Sequence, residues 1–68
     1  MSTMEMTYTV PDVHCQHCRH AITTEVERIG GIESVEVDLE RKHVHVTGVD
    51  LDDAAVRSAI DEAGFEIA

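Results

Sequence analysis

The hydrophobic pattern of this chain changes period four times within 68 residues, and that alternation limits the folds that the chain can adopt. Stretches in which every second residue is apolar indicate strands, because successive side chains of a strand point to opposite faces. Stretches with an apolar residue every three or four positions indicate amphipathic helices. Along the chain, these stretches follow the order β-α-β-β-α-β.

Turn and cap signals set the limits of six predicted elements. Strands are predicted at 4–10, 32–39, 43–47 and 65–67, and helices at about 18–29 and 51–63. Pro11 ends the first strand and Gly30-Gly31 ends the first helix, while Asp50 is placed to cap the second helix. This order predicts an α+β ferredoxin-like sandwich, in which a four-stranded antiparallel sheet carries both helices on one face.

Composition limits both the core and the partners of the protein. A chain of this length is expected to form a single domain over residues 1–68, and with one Tyr, one Phe and no Trp its core is aliphatic. Met4 and Met6 are expected on the core face of the first strand.

The formal charge of −9 argues against nucleic acid and anionic membranes as partners. It favours a monomer that docks on a basic patch of another protein.

The location of the protein is also constrained by its sequence. We find no basic segment followed by an apolar segment at the start of the chain, and no stretch that could span a membrane. We therefore expect a cytoplasmic protein without membrane insertion, whose thiols stay reduced. No Ser-His-Asp set and no paired carboxylates are indicated, so an enzyme is not expected.

The metal-capable side chains are concentrated in the heptapeptide HCQHCRH at 14–20, which holds both cysteines of the chain. Cys15 is expected at the end of the loop after the first strand, and Cys18 in the first turn of the helix. The N–H groups and partial positive charge of a helix N-terminus favour thiolate over thiol. Two thiolates can therefore converge on one soft ion, and Cu(I) is the favoured ion. A structural zinc site would need four ligands, so a two-thiolate site suits a carrier.

On these residues the chain resembles the heavy-metal-associated domain family, which includes small copper chaperones and the N-terminal domains of copper-transporting P-type ATPases. The resemblance extends over most of the chain and is carried by Val13 to Cys18, Ala21-Ile22, Gly30 to Ile32, Val35 to Val37 and Asp61 to Phe65. It implies Cu(I) bound by Cys15 and Cys18, and delivery to the metal-binding domain of a copper-transporting P-type ATPase. It further implies a monomer without metal, and allows a metal-bridged dimer when loaded.

The sequence departs from the family pattern immediately before the motif. Asp12-Val13 stands where the family usually has Gly-Met, and Val13 is expected to fill the apolar pocket of that Met. Phe65 is similar to the residue of the ATPase-attached domains, so the chain could also be an excised ATPase domain. Two further functions stay open, namely a zinc, cadmium or mercury binder of the same family and a thiol-disulfide redox protein.

The five histidines are predicted to lie outside the metal coordination sphere, with direct metal binding by His17 kept as an alternative. His14 is expected in solvent beside Cys15, with at most an indirect influence on the thiolates. His17 is expected to tune the thiolates or to contact a second chain. His20 is expected to face solvent, and His43 and His45 are expected on the outer face of the third strand.

Overall fold

Five of the six predicted elements are present in the structure, a computed structural model that describes residues 3–68. They are β1 (Met4–Thr9), α1 (Gln16–Glu27), β2 (Ile32–Asp38), β3 (His43–Gly48) and α2 (Asp53–Glu62). The sheet has three strands in the order β1-β3-β2, and both neighbouring pairs are antiparallel. The predicted α+β class is therefore confirmed, with three strands in place of four.

One aliphatic core lies between the sheet and the two helices. The alternation of the strands directs every second residue inward, so that Tyr8 of β1 and Val37 of β2 both pair with Val44 of β3. Residues of both helices and of the inner sheet face belong to this single cluster, which places both helices on one face, as predicted. The buried members are Tyr8, Val10, Val13, Ile22, Val26, Val44, Val46, Leu51, Val56, Ala59 and Ile60.

The predicted fourth strand at 65–67 is wrong, and the end of α2 explains why. Gly64 has a φ of +94°, its N–H donates to the Asp61 carbonyl, and the N–H of Phe65 donates to the Ile60 carbonyl. These two hydrogen bonds form a Schellman cap. The Phe65 N–H is thus used by the helix and cannot join a strand ladder. The segment after it makes one backbone hydrogen bond to β1, from Ala68 N–H to the Thr9 carbonyl at 2.8 Å.

Three further expectations are corrected by the structure. Asp52, not Asp50, caps α2, since the Asp52 carboxylate accepts a hydrogen bond from Ala54 N–H at 3.1 Å. Asp50 has a φ of +55° and belongs to the turn before the cap. Met4 is 39% exposed and lies outside the core, whereas Met6 packs against it. α1 begins two residues before the predicted start, at Gln16.

A polar network joins β1 to α2 at the edge of the core. The buried Tyr8 donates its hydroxyl proton to Asp53 at 2.6 Å, and Asp53 accepts a second hydrogen bond from Arg57 Nε at 2.9 Å. Burial and the bond to Asp53 raise the pKa of Tyr8 to about 12. The same bond lowers the pKa of the Asp53 carboxyl. The network therefore further favours the neutral form of Tyr8 and the charged form of Asp53.

Gly48, the last residue of β3, packs closely against the turn that follows α1 and must be glycine. A Cβ atom at Gly48 would overlap the Gly31 carbonyl oxygen, whereas a Cβ at Gly30 would meet nothing within 4 Å. We expect Gly48→Ala to lower the free energy of unfolding by about 1–3 kcal/mol, as overpacked sites do. Gly30→Ala is the matched control and should stay within about 0.5 kcal/mol of the parent. Urea unfolding followed by circular dichroism measures both, and equal midpoints for the two variants would contradict the close approach.

Candidate metal centre

The two cysteines meet at the start of α1. Cys15 is the N-cap residue, and Cys18 follows in the first turn of the helix. Their Sγ atoms are 3.6 Å apart, and both side chains are half-buried free thiols. The predicted placement of both residues is therefore confirmed, and the structure brings their sulfurs within the reach of a single ion.

The helix N-terminus stabilises the thiolate of Cys15. The backbone N–H of Cys18 is the main cause of a lowered pKa for the Cys15 thiol, followed by the Cys18 side chain and the backbone N–H of His17. The Cys15 side chain makes no capping hydrogen bond to the helix. The orphan N–H groups of the first turn are thus available to a sulfur anion. Because metal binding requires deprotonated sulfur, this arrangement favours the binding of a soft metal.

We expect this pKa shift to be visible in the rate of alkylation of Cys15. Only the thiolate reacts, so a lowered pKa moves the pH-rate curve of Cys15 to lower pH in the folded protein than in the same protein in urea. Iodoacetamide labelling across pH 6–10, with the Cys15 and Cys18 modifications resolved by tandem mass spectrometry, measures the midpoint. Superimposable curves for the folded and denatured protein would show that the helix N-terminus does not stabilise this thiolate.

The loop before the cysteines is anchored by Val13, which is fully buried in the core. This confirms that Val13 occupies an apolar pocket under the motif. The Lys42 ammonium donates a hydrogen bond to the Val13 carbonyl at 2.6 Å, and the Lys42 carbonyl accepts one from Val10 N–H at 2.7 Å. Sequence reasoning missed Lys42 because it lies in the β2–β3 turn, 29 positions from Val13. No periodicity or motif connects the two residues.

His14 lies beside the thiols. A ring nitrogen of His14 and the sulfurs of Cys15 and Cys18 are all within 4.8 Å of one another. Its Nδ1–H donates to the Asp12 carbonyl at 2.7 Å, and Nδ1 is 4.0 Å from Cys18 Sγ. The ring is exposed, as expected. The structure nevertheless groups it with the two cysteines as a potential metal ligand, which the sequence did not predict. Within residues 3–68, these three residues are the only group of His, Cys, Asp or Glu arranged to hold a metal.

The other four histidines lie outside this group. His17 and His20 are exposed on α1. His43 and His45 point away from the core on β3, where His45 contacts Glu5 at 3.0 Å and Thr7 at 2.8 Å. Their predicted positions on the surface are confirmed. Separately, none of the helices in residues 3–68 is long and apolar enough to cross a membrane.

A small α+β sandwich with a Cys-x-x-Cys pair at the start of its first helix defines a class of metal-binding domains. Residues 7–66 match the model of the heavy-metal-associated domain, and the chain belongs to that family. The predicted resemblance is thereby confirmed.

Three relatives illustrate the similarity. The copper chaperone CopZ of Bacillus subtilis is 34% identical over 67 residues, which cover 94% of this chain and 96% of that protein. A solved structure of a CopZ metallochaperone superposes with a TM-score of 0.90 at 25% identity, covering 96% of this chain and 100% of that one. The copper chaperone Atx1 from Synechocystis PCC6803 gives a TM-score of 0.81 at 34% identity, with coverage of 93% and 98%.

Proposed function

We propose that this protein is a Cu(I) carrier in which Cys15 and Cys18 bind the ion as thiolates. The observation that carries the proposal is the pair of sulfurs 3.6 Å apart at a helix N-terminus, with the pKa of Cys15 lowered. Thiolates select Cu(I) over hard cations. The resemblance to proteins named copper chaperones supports the same choice of metal.

The proposed mechanism is transfer by ligand exchange. Two half-buried thiolates leave one side of the ion open, so a thiolate of a partner can bind before either cysteine leaves. The ion then passes between proteins without being released to water. The aliphatic core contains neither cysteine among its buried members, so the protein is expected to stay folded without metal.

We further propose that the partner is the metal-binding domain of a copper-transporting P-type ATPase. The formal charge of −9 suits a basic docking patch on that domain. We propose that residues 1–68 form one domain, that the protein is not an enzyme, and that it works in the cytoplasm, where its thiols stay reduced. It is a monomer without metal, and the half-buried thiolates also allow two loaded copies to share metal.

An anaerobic competition experiment tests the choice of metal. The protein is titrated with Cu(I) against a Cu(I) chelator and with Zn(II) against a Zn(II) chelator, and the loaded protein is then mixed with an isolated ATPase metal-binding domain. We expect Cu(I) to be retained at chelator concentrations that remove Zn(II), and to redistribute to the domain within the mixing time. Tighter retention of Zn(II) would favour a zinc, cadmium or mercury binder.

A redox protein and an excised ATPase domain are each distinguished from a carrier by a different measurement. A thiol-disulfide redox protein would reduce a disulfide substrate catalytically, and we expect no turnover here. An excised ATPase domain would accept Cu(I) from a carrier more readily than it delivers the ion, which transfer in both directions measures. Net transfer towards the ATPase domain is the expected result.

A further inference from the structure

We infer that His14 is a third ligand of the metal site, so that the bound ion is held by one imidazole and two thiolates. This inference rests on the proposed function for its metal, but its evidence is the position of His14. The ring nitrogen and the two sulfurs lie within 4.8 Å of one another in the metal-free protein. No other histidine in the part of the chain that the structure describes shares such a group.

The separation of the sulfurs in the metal-free protein is compatible with a third ligand. With metal–sulfur bonds of about 2.3 Å, as for zinc, sulfurs 3.6 Å apart subtend an angle of roughly 100° at the ion. A linear two-coordinate ion with such bonds would require sulfurs about 4.6 Å apart. An ion bound at the observed spacing would therefore have an open side. An imidazole nitrogen is a suitable donor there, because it binds both copper and zinc.

The surroundings of His14 hold its ring beside the sulfurs. Val13 is fully buried, and its carbonyl is held by Lys42, so the backbone that carries His14 is fixed to the core. The His14 Nδ1–H also donates to the Asp12 carbonyl at 2.7 Å, which restrains the ring. Such hydrogen bonds commonly orient metal-binding histidines through the ring nitrogen that does not bind the metal, which leaves Nε2 of His14 as the nitrogen for an ion. His17, although it lies between the cysteines, has no place in the cluster.

A third ligand of this kind has a consequence for transfer. Cu(I) prefers thiolate to imidazole, so an incoming cysteine of a partner displaces His14 before either thiolate. The imidazole closes the site while the protein carries the ion and opens it when a partner arrives. Zn(II) depends more on the imidazole, because it prefers four ligands and the chain otherwise offers two.

The test compares His14→Ala with His17→Ala, a matched control that removes an exposed imidazole from the same motif. Each protein is titrated anaerobically with Cu(I) and with Zn(II) under chelator competition, and the ring ¹⁵N resonances of the parent protein are recorded before and after loading. We expect His14→Ala to weaken Zn(II) binding roughly a hundredfold and Cu(I) binding roughly tenfold. His17→Ala should leave both affinities within about twofold. The His14 ring nitrogens alone should shift on loading.

The outcomes separate this inference from the proposed function. If the parent binds Cu(I) tightly but the His14 ring resonances stay unchanged and His14→Ala keeps both affinities, the carrier function stands and the third ligand is overturned. If the parent binds Zn(II) through His14 but holds Cu(I) weakly, the third ligand stands and the Cu(I) carrier is overturned. Failure to bind either metal overturns both.

Discussion

Cys15→Ser and Cys18→Ser are each expected to weaken Cu(I) binding by at least about a hundredfold. Structural zinc sites with four ligands are stabilised by about 10–16 kcal/mol, which assigns on the order of 3 kcal/mol to one thiolate, or about two powers of ten in affinity. A serine hydroxyl is a hard ligand that stays protonated at neutral pH and does not replace a thiolate. Anaerobic titration against a Cu(I) chelator measures the loss.

The control for the cysteine variants is His43→Ala, which removes a metal-capable side chain from the outer sheet face. His43 is half-buried on β3 and takes no part in the cysteine cluster. The affinity of this control variant for Cu(I) should match that of the parent. The serine variants should also unfold within about 1 kcal/mol of the parent, since neither sulfur is a buried core atom. Retention of tight Cu(I) binding by either serine variant would exclude the two-thiolate site.

Strands and helices with a repeating hydrophobic pattern could be predicted from the sequence. Elements whose formation depends on a few hydrogen bonds could not. The alternation in β2 and β3 and the stripe of Ile22 and Val26 identify core faces directly, because burial of each residue follows from its position in the period. The segment at 65–67 has the same alternation. Its first N–H, however, is used by the cap of α2, and only the backbone geometry at Gly64 reveals this.

The candidate site likewise has one part that could be predicted from the sequence and one part that could not. The Cys-x-x-Cys spacing and the predicted helix start placed Cys15 and Cys18 together, because the side chains of an N-cap residue and of the third helical residue commonly meet. His14 and Lys42 required the tertiary structure. The His14 ring reaches the sulfurs through the bend of the loop at Asp12, and Lys42 reaches that loop from a turn distant in sequence. The sequence does not determine which way a residue beside a motif faces, because that direction depends on the conformation of the loop.

Ile22→Ala and Ile60→Ala are each expected to remove a large part of the stability of the protein. Both side chains are fully buried, one on each helix, against the same sheet face. Truncation of buried isoleucine to alanine costs about 2–5 kcal/mol, because it loses apolar burial and leaves a cavity. A chain of this size has about 3–10 kcal/mol in total. The exposed Met4→Ala is the control and should change stability by less than about 0.5 kcal/mol.

Metal binding gives a second measurement on the same variants. Cu(I) binds the folded site in preference to the unfolded chain, so loading should raise the apparent stability of Ile22→Ala and Ile60→Ala in proportion to the logarithm of free Cu(I). Urea unfolding of the apo and loaded proteins, with the m-value checked for constancy, measures both effects. The apo parent should unfold cooperatively, because its core is complete without the ion. An apo parent that lacks a cooperative transition would mean that the metal organises the fold, as in structural zinc domains, and that this protein could not release its ion and remain folded.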